Sequence, residues 1–144
     1  MKSLTTLAAA LIGLTMVAGT VSADVIDDRQ RGFKQHVENM KAVKAAVESG
    51  NASAAVAPAT AMVAFAKTVP SLFPEGSGTG DTRALPAIWS DWAGFEKVAM
   101  EHVAAVEKLQ AAAQSGDASA LGAQLKATGA TCGACHKPYR AEKN

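Results

Sequence analysis

The sequence predicts an all-α protein, an antiparallel four-helix bundle with one long crossover between its second and third helices. Three observations carry that expectation. Alanine is abundant and strand-like alternation is nearly absent, so helix formers dominate. The segments "SGNASA" (49–54) and "SGDASA" (115–120) repeat one stop-and-start device. Each supplies a glycine for a left-handed helix end and a polar residue to cap the next helix. Short connections of this kind join antiparallel neighbours. Only one stretch, "TVPSLFPEGSGTGDTRALP" (68–86), is long, irregular and punctuated by proline and glycine.

The chain has 144 residues. Its opening, "MKSLTTLAAALIGLTMVAGTVSA", has one cation, Lys2, then an apolar run, then Val21-Ser22-Ala23. That is the layout of a cleaved secretory signal, and residues 1–23 are expected to be one. A membrane anchor is the rival reading. The run is broken by Gly13 and Gly19, is short for a span of about 20 residues, and is followed by Asp24, Asp27 and Asp28 rather than by basic residues. The expected mature domain, 24–144, has 144 − 23 = 121 residues, enough for one core. Its charge is near balance, 13 basic against 13 acidic residues once Lys2 is removed from the 14. Nothing in that balance recruits nucleic acid or an anionic membrane. The expected location is the periplasm of a bacterium, an oxidising space.

The first helix is expected from about Asp24 to Ser49, with Ile26, Phe33, Val37, Met40, Val43 (or Lys44) and Val47 as its apolar stripe. The second should run from about Ser53 to Lys67, with Pro58 tolerated in its first turn. The third is expected to start between Leu85 and Ile88 and reach about Gln114, its stripe being Ile88, Trp92, Phe95, Ala99, Val103, Val106 and Leu109 (or Gln110). The fourth starts at Asp117 and carries Leu121, Leu125, Thr128, Cys132 and Tyr139 on one face.

Chemistry concentrates in "TCGACHKPYR" near the end of the chain. Cys132 and Cys135 are the only two cysteines, and His136 follows directly. Three uses compete: half of a zinc site, a redox dithiol, or covalent attachment of a cofactor. A structural zinc site needs four ligands, and His36 and His102 stand alone elsewhere. A thioredoxin-like dithiol follows a strand, and no strand signal precedes Cys132. Cys-x-x-Cys-His is the attachment pattern of haem c. On a helix, positions three and four apart share a face, so both thiols can reach the haem vinyls while the His136 imidazole reaches the iron.

Three separated segments carry a family resemblance that spans the whole expected mature chain. They are "DDRQRGF" in the first helix, "FPEGSGTGDTRALPAIWSDWAGF" in the crossover and third helix, and "CGACHKPYR" at the end. In these the chain resembles cytochrome c′, the class II c-type cytochromes. The resemblance implies one haem c held by Cys132 and Cys135, with His136 as the proximal iron ligand. It places Arg29 and Gln30 beside the haem near its propionates, Asp81 at a further haem contact, and Arg140 on the proximal side. Phe33, four residues after Arg29, falls at the family's distal apolar position. Read without the resemblance, Arg29, Gln30, Tyr139 and Arg140 are ordinary surface or capping residues. Trp89, Trp92 and Phe95 read as packing residues, and His102 as exposed or as a packed neutral histidine.

The sixth iron position decides between functions. Arg29, Phe33, His36 and Met40 share a face of the first helix. Phe33 at the distal spot leaves the iron five-coordinate, suited to nitric oxide and carbon monoxide, with no hydrogen bond for dioxygen. His36 or Met40 as sixth ligand would make a low-spin electron carrier. No acid–base residue other than His36 is evident there, which argues against a dedicated peroxidase. The expected protein is therefore a non-enzymatic gas-binding or electron-transfer haem protein. Its expected partners are a second copy, small gases and an unidentified redox partner, with no membrane or nucleic acid.

Overall fold

A computed structural model describes residues 20–143. The signal-peptide expectation for residues 1–23 therefore falls almost wholly outside the described residues. Among the described residues there are five α-helices: α1 Thr20–Glu48, α2 Val56–Thr68, the single turn α3 Ala87–Ser90, α4 Trp92–Ser115 and α5 Ala118–Tyr139. Short 3-10 turns over Ala52–Ala55 and Val69–Leu72 flank α2. Among the described residues no β-strand forms; Ala84 and Arg140 make one isolated antiparallel bridge. The four long helices close a ring in which α1 packs on α2 and α5, and α4 packs on α2 and α5. This is the expected four-helix bundle.

The glycines of both twin signals fold as read, but only the second signal supplies the expected cap. Gly50 and Gly116 take left-handed φ values of 68° and 77°, which end α1 and α4 without a Cβ penalty. Asp117 caps α5, its Oδ1 accepting from the backbone N–H groups of Ser119 and Ala120 at 2.9 and 3.0 Å. Asn51 makes no such cap; its Oδ1 instead accepts from the Ser53 hydroxyl at 2.8 Å.

The core divides into two parts. One half is built of small side chains, with Ala46, Ala55, Ala59, Ala66 and Ala113 around Val43, Met62, Val106, Leu109 and Leu121. Alanine lets these helix backbones approach closely. The segment Ala52–Leu72 is long and apolar enough to cross a membrane by length and composition alone, but its Ala55, Ala59, Met62 and Ala66 face is buried in this core. The other half is aromatic: Phe73, Phe95 and Tyr139 with Val69, Ile88 and Ala99, flanked by Phe33, Phe65, Trp89 and Cys135.

Three expectations need correction. Val37 is 52% exposed. It lies about 80° around the helix from Arg29, at 100° per residue, whereas Arg29, His36 and Val43 repeat every seven residues and point inward. Trp92 sits at the rim rather than in the core, its ring 5.4 Å from that of Phe95. The third helix is also interrupted. At Asp91 the chain leaves helical geometry (φ −128°, ψ 54°), separating α3 from α4. The Asp91 carboxylate caps α4, accepting from the Gly94 N–H at 3.3 Å, and accepts the Tyr139 hydroxyl hydrogen at 2.7 Å. A Cβ at Gly94 would lie 2.2 Å from that carboxylate, so the cap needs glycine there.

Candidate functional site: the aromatic end of the bundle

Cys132, Cys135 and His136 lie in the last turns of α5. Both thiols are half-buried, and they are not bonded to each other. Burial raises the pKa of each, and for Cys135 the neighbouring Cys132 raises it further, so both are held as thiols. Cys135 packs against the aromatic core. His136 is more exposed, with Arg140 Nη1 3.4–3.5 Å from its ring nitrogens. Burial first, then the charges of Arg140 and Arg83, lower the His136 pKa, which keeps a lone pair free on the imidazole.

The crossover is tied to this end of α5. The Leu85 N–H donates to Tyr139 O at 3.0 Å, the Ala141 N–H to Arg83 O at 2.8 Å, and Arg83 donates back to Ala141 O through Nε and Nη2 at 2.8 and 2.5 Å. A cleft of about 240 Å³ lies here, lined by Arg83, His136, Lys137 and Arg140.

Arg29 is 4% exposed. It donates to Ser77 O at 3.0 Å and Thr82 Oγ1 at 2.7 Å, and at 3.3 Å to Leu72 O and Ser77 Oγ. Its guanidinium stands 4.4 Å from the centre of the Phe73 ring. Every acceptor is neutral, and burial lowers its pKa. Gln30 Nε2 donates to the Asp81 backbone carbonyl at 2.6 Å, while the Asp81 side chain is exposed and makes no part of that contact. Phe33 packs edge-on to Phe65, centroids 5.1 Å apart, and is only half-buried. Gly32 lets α1 approach α2 here; a Cβ on it would stand 2.1 Å from the Phe65 ring. Met40 packs instead against the alanine-rich core. His36 is buried, with its Nε2 3.0 Å from that of His102. His102 is thus a packed histidine, and burial followed by the His136 charge lowers its pKa.

The structure thus groups Phe33 and Cys135 in one apolar cluster, and Arg29, Gln30 and the crossover at its edge. His136 and Arg140 stand at the surface beside it. Ser77, Thr82 and Arg83, which hold this arrangement, were not singled out from the sequence. Their signal was present as polar residues inside a glycine-rich crossover. These residues fit a flat apolar macrocycle with acidic substituents. One of two free thiols, Cys135, borders an aromatic cluster, a neutral imidazole follows it, and a buried cation nearby has only uncharged partners.

A profile of the family described as Cytochrome C′ matches residues 24–140. The chain belongs to the cytochrome c′ family. Cytochrome c′ of Pararhodospirillum photometricum is 34% identical over 119 residues, 80% of this chain and 94% of that one. Cytochrome c′ of Rhodospirillum rubrum is 41% identical over 85 residues, and the match spans 58% of either chain. A solved cytochrome c′ described as having an unusual ligand-controlled dimer dissociation superposes with a TM-score of 0.79 at 31% identity, covering 87% of this chain and all of that one. Cytochrome c′ proteins are haem proteins of electron transfer and gas binding, and the haem is of the c type.

Proposed function

We propose that this cytochrome c′ is an exported, periplasmic haem protein with a five-coordinate iron that binds nitric oxide and carbon monoxide, and that it is not an enzyme. Cys132 and Cys135 would hold the haem through thioether bonds, and His136 would ligate the iron. The bound haem supplies a redox-active iron with one position for a small ligand. Arg29 would balance the acidic substituents, with Gln30 fixing the crossover beside it. The exposed Asp81 contributes through its backbone. Arg140 would stand on the His136 side, and Phe33 on the opposite one.

One observation carries the choice of Phe33 over its two rivals on α1. Phe33 packs with the aromatic residues around Cys135, whereas Met40 packs in the alanine core and His36 already has its Nε2 bonded to His102. An apolar ring offers dioxygen no hydrogen bond. An optical spectrum of the reduced protein tests this. The expected spectrum is high-spin and changes when nitric oxide is added; a low-spin spectrum that ignores nitric oxide would replace this reading with a six-coordinate electron carrier. A two-fold dimer is the proposed assembly, supported by the exposed Val37 on α1. Sedimentation at micromolar concentration that finds only monomer removes it.

A further inference from the structure

His36, His102 and Thr131 form a hydrogen-bonded chain through the bundle interior, linking α1, α4 and α5. His36 Nε2 lies 3.0 Å from His102 Nε2, and His102 Nδ1 lies 2.6 Å from Thr131 Oγ1. Thr131 Oγ1 is in turn 2.6 Å from the Thr128 carbonyl oxygen. A carbonyl can only accept, so the single hydroxyl hydrogen of Thr131 goes to Thr128 O. Thr131 Oγ1 must then accept from His102, which places the His102 proton on Nδ1. The His102 Nε2 is left as a lone pair, and His36 must donate to it through Nε2–H. The last atom of the chain is therefore fixed by elimination. His36 Nδ1 carries no hydrogen, and it is an acceptor.

That acceptor is buried and has no hydrogen-bond partner among the described residues. His36 is 6% exposed, and its ring centre lies 5.5 Å from that of Phe65, the residue that packs on Phe33. A buried acceptor left unmet loses its bond to water without replacement, so native interiors pair nearly all of them, with ordered water where protein atoms cannot reach. Protonating His36 would not meet the need, because burial and the nearby His102 push its pKa down to about 4. A metal does not suit the pair either, since no three His, Cys, Asp or Glu side chains converge among the described residues.

We propose that His36 Nδ1, on α1 beside Phe65 of α2, is a fixed hydrogen-bond acceptor for one small protic molecule, water in the resting protein. His102 and Thr131 are its positioning residues. They lock the tautomer, so the site offers a lone pair and never an N–H. A small neutral X–H donor is what this atom can bond, whereas a molecule that needs a donor gains nothing there.

The test uses the haem-loaded protein in its ferrous carbon monoxide form, or in the ferrous form itself should that be low-spin. Both are diamagnetic, so the choice of residue facing the iron does not affect the measurement. Nitrogen-15 NMR of the side chains should find His36 protonated at Nε2 and His102 at Nδ1. A proton or an iron bond on His36 Nδ1 overturns the proposal. Oxygen-17 water relaxation should show a long-lived internal water that is lost in His36→Leu/His102→Leu, a pair that leaves Thr131 bonded to Thr128. An unchanged number of long-lived waters in that variant also overturns it.

Discussion

Arg29→Met isolates what a buried guanidinium does for this fold. The substitution keeps a long, flexible apolar side chain and removes the charge and all four donated hydrogen bonds. Two of those bonds are short, and each contributes about 1.5 kcal/mol when the donor is charged. The stacking on Phe73 adds about 1 kcal/mol. The two longer bonds add little. The expected loss is about 4 kcal/mol, or a fall in Tm of roughly 15 °C for a domain of this size. Arg31→Met is the control on the same helix. Arg31 is exposed and paired only with Asp28, so its loss should cost no more than about 0.5 kcal/mol. Urea unfolding of the haem-loaded variants, followed by far-ultraviolet circular dichroism, measures both. An Arg29→Met loss within about 1 kcal/mol of the Arg31→Met value would refute the reasoning. The crossover would then be held by its own turns and not by α1.

Two further predictions follow from the site. Phe33→Ala should speed carbon monoxide association in stopped-flow measurements while costing only about 2 kcal/mol, less than a fully buried phenylalanine would, because the ring is half-exposed; Arg140→Ala should leave that rate nearly unchanged, and an unaltered rate in Phe33→Ala would make Phe33 ordinary core. Stability should fall at both ends of the pH scale. On the acid side His36, held near 4 in the fold against an unfolded value of 6.5, stays neutral while the unfolded chain gains a proton, so up to about 3 kcal/mol present above pH 6.5 is lost as pH falls towards 4. On the alkaline side the bond from Tyr139 to Asp91 pushes the phenol up to about 12, so its contribution is present below pH 10 and lost between 10 and 12. Tyr139→Phe should flatten the alkaline limb, and a limb unaltered by that change would contradict the assignment.

How much of this was legible in the sequence depends on the distance between partners along the chain. Gly50, Gly116 and Asp117 act on neighbours a few residues away, and their roles could be read directly. The face shared by Cys132, Cys135 and His136 was likewise a matter of local helical spacing. Arg29 was placed beside the haem only by the family resemblance; its own acceptors lie 43 to 53 residues later, in an irregular crossover with no periodicity to announce them. His36 finds His102 across 66 residues, and no helical pattern announces that meeting. Val37 was assigned inward because apolar character was allowed to decide the face. The polar Arg29 and His36 set the true one, and long-range partners made their burial tolerable. The break at Asp91 was written locally, as an Asp followed three residues later by Gly, but the helical stripe on either side masked it.

The seam between residues 83–85 and 139–141 bears on the order in which the molecule is assembled. Its contacts span up to 58 residues and enclose the whole hairpin of α4 and α5. Closing a loop of that length costs about 3.5 kcal/mol in chain entropy beyond a constant. The cost must be met before the aromatic contacts repay it, so the seam belongs to the late steps of folding. The α4–α5 turn, closed by Gly116 and Asp117, is local and can form early. Cys132 and Cys135 stand between these two events, on a helix begun early whose final turn is fastened last. Until the seam closes, both thiols remain open to chemistry performed on the chain by another agent; afterwards the crossover lies across the end of that helix.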